Sequence, residues 1–451
     1  MSKFALLFLL VFVGGVAAAF FYTGASAFFL YQLVYFLNPD ERWWSAQIPG
    51  LPWSFITAIL MIVMFALETR KLGPEHSWGK QPLTKWLILI LLMYLFMFMH
   101  ALNFAAHKQF TIVLLKLFVI MALAYKLIKS EALLKASIYT YCVGCFYLGY
   151  LATITGRNEF GRIEGIGPVD AGDANHFAAA LAPSMIFLLY FFWTGNKKIK
   201  ALCAVMGAFI ANGLVLVNSR GAFLGLAAAA AVYVMFMVFS RYQQKNQRKT
   251  ALFVVVFGLL SFLYVADEQF WQRMSTLEDV QDESKSGSHR VNFWLATFDV
   301  LHDYPFGVGI MGYQMVSPQY IDSRWTEGGE INKAVHSSWF QALGELGWPG
   351  IVLFVGMVVS AFRMTRKAAR TLIRQGRYRD YFFVLAIECA LLCFLIAGSF
   401  IDRFRAEILY WLLLYCAGAY KFYVLANEAK PLPAEPVKPP ARRYRSRERT
   451  T

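Results

Sequence analysis

The sequence predicts an all-α integral membrane protein, and three observations predict it. Of 451 residues, 58% are hydrophobic and only 16% charged, against roughly 25% charged in soluble domains. A chain this long and this apolar cannot hide its surface in one globular core. Apolar runs near the roughly 20 residues that cross a bilayer recur along it. Lys and Arg collect in alternate connecting segments, as they do in cytoplasmic loops. A soluble enzyme, a nucleic-acid binder and a disordered scaffold are therefore excluded. The net charge of +15 is mostly topological and calls for no nucleic-acid partner.

The first apolar stretch, Phe4 to Leu37, is too long for one upright helix and short for two. Gly14, Gly15 and the segment Thr23–Ser26 could break it into a hairpin. Spans follow near Leu51–Leu67, Lys85–Asn103, Gln109–Leu127, Leu133–Ile154, Asn175–Trp193, Ile199–Val217, Ala222–Ser240 and Ala251–Val265. After a long gap come Gly350–Phe362, Phe382–Phe400 and Ile408–Leu425. The expected total is about 12 or 13 transmembrane helices. The basic segments are Arg70–Lys80, Lys126–Lys135, Lys197–Lys200, Arg241–Lys249 and Arg363–Arg379. The gap from Asp267 to Gly347 carries 5 basic and 12 acidic residues, a net of −7, so this loop is expected outside.

Four regions result: N-terminal transmembrane helices over 1–266, a large external loop with amphipathic helices over 267–349, C-terminal transmembrane helices over 350–428, and a tail over 429–451. The tail is basic and proline-rich, and reads as a disordered cytoplasmic segment beside anionic headgroups. Phe4–Leu37 lacks a small-residue processing site, so no cleavable signal is expected. No internal repeat is visible, unlike many transporters. The six cysteines all fall in apolar runs, which implies no disulfide framework. The C-x-x-C spacing of Cys142 and Cys145, mid-span, reads as core packing.

Several residues could carry chemistry. His289 to Leu301 has Val291, Trp294, Leu295 and Phe298 at helical spacing and resembles a helix on the membrane surface, with Arg290 at its start. A second helix opens near His336, with Phe340 and Leu343 on the same face. His336 is either a general base working near neutral pH or an interfacial histidine with its tip at the headgroups. Arg220, in the turn Asn218-Ser219-Arg220-Gly221, suits a bidentate phosphate ligand; the plain alternative is a snorkelling anchor. The glycine-rich outer loop from Gly156 holds Arg157, Arg162, Asp173 and Asn175. Asp173 and Asn175 read as caps of the next helix, or as contacts to substrate hydroxyls. Lys116 lies inside a span, where an ionisable group is functional by default, and Glu388 is its partner or faces the bundle. Asp402 and Arg403 occupy the last outer loop. No D-x-D, H-E-x-x-H, Walker A or G-x-S-x-G motif occurs, so no metal site or other cofactor is implied.

SRGAFLGL around Arg220, the outer loop with its Arg-led helix, and HSSWFQALGELGWPG together resemble the O-antigen ligase and polymerase superfamily, in order and spacing across most of the chain. YFLNPDERWW…LPWSF and GDANHFAAALAPS are similar to the putative O-glycosylation ligases that accompany exosortase systems. The resemblance implies a GT-C-like membrane fold in the bacterial inner membrane with its active site facing the periplasm. It implies metal-independent transfer of a preassembled glycan from undecaprenyl diphosphate to a glycan, lipid or protein acceptor. On that basis His336 would serve the acceptor hydroxyl, Arg220 and Arg290 would hold the diphosphate, and Asp402 would match a family acidic position. Ser337 stands where many ligases have asparagine, which weakens any inference that lipopolysaccharide core is the acceptor. A polymerase differs only in its acceptor and is the alternative within the superfamily. A lipid-linked oligosaccharide flippase is the alternative outside it, and would predict repeats and a charged central path.

Overall fold

The computed structural model describes residues 1–68, 72–159, 161, 163, 165–275, 289–322 and 331–428. Among them every regular element is a helix. In chain order these are α1 (Lys3–Phe21), α2 (Ala25–Leu37), α3 (Trp53–Glu68), α4 (Leu83–Phe96), α5 (Phe104–Leu127), α6 (Glu131–Thr155), α7 (Ala174–Thr194) and α8 (Lys197–Val217). There follow α9 (Arg220–Phe239), α10 (Gln247–Val265), α11 (Glu268–Ser275), α12 (His289–Asp303), α13 (Gly312–Tyr320), α14 (Ser338–Arg374), α15 (Tyr378–Gly398) and α16 (Glu407–Tyr420). Short 3-10 turns lie between some of them, and α16 runs on through a π-turn over Lys421–Leu425.

Ten helices are long and apolar enough to cross a membrane among the described residues. Trp53–Glu68 and Leu83–Met99 are apolar but shorter. The stretch Phe4–Leu37 is broken at Tyr22–Gly24 into α1 and the 13-residue α2. At 1.5 Å per residue, α2 alone reaches about 20 Å, short of a bilayer core. The tail from residue 429 and Arg162 lie outside the described residues.

Local chemistry sets the helix ends. Ser130 and Asn196 side chains accept the Leu133 and Ile199 amides at 3.2 and 3.0 Å, capping α6 and α8. Asn38 and Asn218 close α2 and α8 in the left-handed region, φ 43° and 59°, which asparagine tolerates better than most residues. The centre of the bundle is α15 and α16, whose most apolar windows are 89% and 94% buried, whereas α1 and α10, at 17% and 11%, line the periphery.

The helix that opens near His336 runs up to the span expected at Gly350–Phe362, and the two join across a kink as the 37-residue α14, which carries the basic run on to Arg374. It is bent at Gly347, φ 64° and ψ −160°. Pro349 has no N–H to bond the Glu345 carbonyl, and the bend takes the Trp348 amide away from Gly344. Segment 305–309 answers each loss. Val308 N–H donates to Gly344 O at 2.9 Å, Gly309 N–H to Glu345 O at 3.0 Å, and Trp348 N–H to Pro305 O at 3.2 Å. Interrupted helices persist at membrane depth only when protein satisfies their backbone in this way.

Ion pairs gather at the opposite ends of these helices: Lys129 with Glu68, Lys135 with Asp380 at 2.8 Å, Arg377 with Glu131 and Asp380, and Lys367 with Glu428 at 2.9 Å. The suggested pairing of Lys116 with Glu388 is not formed. Lys116 is exposed on the outer side of α5, and the Glu388 carboxylate pairs with Arg366 one helix away, at 2.5 Å. The two basic positions differ because Arg366 belongs to α14, which packs on α15, whereas Lys116 points off the bundle. Cys142 and Cys145 are buried against the α7 carbonyls of Ser184 and Ala180, which is packing.

Candidate active site

A cavity of about 380 Å³ opens among the start of α7, α12, α13, the start of α14 and the loop 399–406. It brings together Asp173, Asn175, Arg290, His336 and Asp402 of the residues singled out in the sequence, and adds His176, Gln314, Gln341, Glu345 and Arg405.

The loop before α16 is stapled to the first turns of α14. The Ser337 amide donates to Asp402 Oδ1 at 2.9 Å, and the His336 amide also faces that carboxylate. Ser338 Oγ donates to Ile401 O at 2.9 Å and accepts the Arg403 amide at 3.0 Å. Gln341 Oε1 accepts the Phe404 amide at 3.0 Å. Asp402 therefore anchors the backbone just ahead of α14. His336 itself has φ 52°, a conformation uncommon outside glycine. The amide–carboxylate contacts stabilise this backbone and with it the direction of the imidazole.

Burial and the neighbouring Arg290 guanidinium push the His336 imidazole down to about 4, with Asp173 opposing and Lys333 adding to the effect. At neutral pH it is unprotonated and able to accept a proton. Burial pushes the Asp402 carboxyl up to about 6, against the stabilising Ser337 and His336 amides. Arg290 stands at the second position of α12. That helix is oriented by Trp294, whose Nε1 donates to Val335 O at 3.1 Å and whose ring stacks on Phe340 with centroids 5.4 Å apart.

Glu345 is the hub beneath the cavity. Its carboxylate accepts from Arg405 Nη1, from Tyr94 OH at 2.8 Å and from Gln341 Nε2 at 3.1 Å. Arg405 thus enters the cavity wall with its charge already matched, which is what allows a buried pair to persist. Arg403 does not line the cavity. It is buried and pairs with Asp170 at 3.0 Å, while Asp170 also accepts from Tyr35 OH and from the Glu407 amide at 3.0 Å. This network ties the loop after α6 to the loop before α16.

Asp173 caps α7: its Oδ1 accepts the Asn175 and His176 amides at 2.8 and 3.3 Å. Arg157 does not reach the cavity. It donates to the Val215 and Leu216 carbonyls at 3.0 Å and pairs with Asp267, clamping the end of α8 to the residue just ahead of α11. Arg220 opens α9 and is half-buried, but is not among the residues lining the cavity. The ideal Cβ of its neighbour Gly221 would lie 3.3 Å from Phe400, so α9 begins against the turn that carries Asp402.

His176, Glu345 and Arg405 were missed in the sequence. His176 had a local signal, since it lies three residues after the cap Asp173 and so on the same side of the first turn. Glu345 and Arg405 had none, because their pairing joins residues 60 apart. Among the described residues no group of three or more His, Cys, Asp or Glu is placed to hold a metal.

No curated protein matches the chain. The family model described as O-Antigen ligase matches residues 204–355, which include Arg220, Arg290, His336 and Glu345, and over this stretch the chain is similar to that family.

Proposed function

We propose that the protein is a glycosyltransferase of the O-antigen ligase type, moving a glycan from undecaprenyl diphosphate to an acceptor hydroxyl at the periplasmic face of the bacterial inner membrane. The observation that carries this reading is one cavity holding an arginine, Arg290, beside an unprotonated histidine, His336. The family match over residues 204–355 supports it. On this reading about 12 or 13 helices cross the membrane, and the 267–349 region is periplasmic.

Arg290 holds the diphosphate through charge-assisted hydrogen bonds. Arg220, at the neighbouring helix start, is assigned to the same lipid headgroup. His336 takes the proton of the acceptor hydroxyl as its oxygen bonds to the anomeric carbon. The bond from that carbon to the phosphate oxygen breaks, and the electron pair leaves with the diphosphate. Displacement at the opposite face inverts the anomeric configuration. With the leaving charge matched by arginines, positioning and electrostatics supply most of the rate.

The test is donor affinity beside single-turnover rate in purified protein. Arg290→Ala and Arg220→Ala are expected to weaken donor binding, and Arg220→Lys to restore it only in part, because an ammonium lacks the planar fork. His336→Ala is expected to bind donor nearly as wild type and turn over about 10²–10⁴-fold more slowly, the range for a lost general base. Wild-type turnover in His336→Ala would overturn the assignment. Transfer is also expected to survive EDTA; loss restored by magnesium or manganese would remove the metal-independent mechanism.

A further inference from the structure

We propose that His176 is a sugar-positioning residue, whose neutral imidazole holds hydroxyls of the transferred glycan beside the reacting centre. The proposal rests on the ligase-type reading above and names the part of the cavity that reads carbohydrate.

The cavity has two chemically distinct walls. Arg290, at the start of α12, presents positive charge next to His336. The α7 side presents Asp173, Asn175 and His176, with Gln314 of α13 also lining the space. The start of a helix ordinarily favours an anion through its free amides. Here the Asn175 and His176 amides are already taken by Asp173 Oδ1, and that carboxylate puts negative charge where an anion would sit. The Arg403 guanidinium nearby is matched by Asp170 at 3.0 Å. This wall is therefore built for uncharged polar groups and the other for the diphosphate.

Hydroxyls are the fitting class. A neutral imidazole offers one N–H donor and one acceptor nitrogen, and a sugar hydroxyl both gives and accepts. Asn175 and Gln314 add amide groups of the same dual character. Among the described residues no protein group is hydrogen-bonded to the His176 ring, and His176 lines the cavity. His176 and His336 line the same cavity, and the His336 ring is near enough to act electrostatically on His176. In the transfer itself His176 neither takes nor gives a proton; that of the acceptor goes to His336.

The experiment uses the purified full-length chain with two probes, sugar-free undecaprenyl diphosphate for binding and the glycan-loaded donor for transfer. His176→Ala is expected to bind the sugar-free probe within about twofold of wild type and to lower the single-turnover rate about 10–100-fold, one to two lost hydrogen bonds. His176→Asn keeps a donor and an acceptor, and is expected to recover most of that rate with an unchanged pH profile. Thermal midpoints of both variants identify a folding defect, and the Asn variant decides if Ala fails to fold. Wild-type turnover in His176→Ala overturns the proposal. So does a parallel loss of affinity for the sugar-free probe, which would make His176 a phosphate ligand. A titration limb lost in His176→Asn overturns it too, as the mark of a proton carrier. If the wild type binds no undecaprenyl diphosphate, the ligase-type reading falls and this proposal with it, before any variant is compared.

Discussion

His336 owes its protonation state to its surroundings more than to its own chemistry. Burial in the cavity wall disfavours the imidazolium, and Arg290 adds a like charge. Removing that charge makes protonation less unfavourable, so Arg290→Ala is expected to raise the His336 pKa from about 4 toward the ordinary 6.5. Diethylpyrocarbonate attacks only the neutral ring, and peptide mass spectrometry separates His336 from the other six of the seven histidines. In wild type the His336 peptide should still be modified at pH 5.5; in Arg290→Ala its reactivity should fall away at a higher pH than in wild type, because burial still depresses the pKa once the arginine charge is gone. Equal profiles would show that Arg290 does not act on His336. By the same reasoning a bound diphosphate opposes the Arg290 field and makes His336 more basic. The residue types were legible in the sequence: a histidine at a helix start, and arginines in segments expected to lie outside, against the topological trend. Their electrostatic relation was not, since it depends on α12 and α14 meeting across 46 residues of chain, from position 290 to position 336.

At the scale of elements, the bent helix α14 positions the site. The backbone just ahead of it is anchored by Asp402, its first turns carry the Glu345 hub, and its bend is braced by segment 305–309. Gly347 sits at φ 64°, and a Cβ there would fall 2.2 Å from the Pro305 carbonyl oxygen. Gly347→Ala is expected to cost about 1–3 kcal/mol for this glycine-only backbone conformation alone, with the clash added. A lowered thermal midpoint in detergent and reduced transfer should appear together. A variant as stable as wild type would show that the bend is not required. The sequence GELGWPG makes a helix interruption readable, because glycine and proline lie two residues apart. It could not show that residues 305–309 would satisfy the broken turn, since those hydrogen bonds cross about 40 residues of chain.

Across the whole molecule, the cavity opens where α7 and α14 begin, beside the loop before α16, while the Glu68, Lys129, Arg377 and Glu428 ion pairs occupy the other helix ends. Basic segments on one face and the acidic outer loop on the other predict opposite compartments. A reporter active only in the periplasm, fused after Lys285, should be active, and one fused after Lys430 silent. The reverse pattern would overturn the orientation and the proposed site of transfer with it.

Hydropathy, caps and charge alternation are local properties, repeated every three or four residues or every loop, and the sequence by itself determined the all-helical membrane character and most helix positions through them. Asp173 as a cap of α7 was legible for the same reason. What only the tertiary structure decided is which distant groups meet: Asp402 with the Ser337 amide across 65 residues, Arg403 with Asp170 across 233, and Arg366 rather than Lys116 with Glu388. These pairings follow from which helix faces pack together. In an apolar bundle many faces are equally greasy, so their polar partners become visible only once the helices are placed.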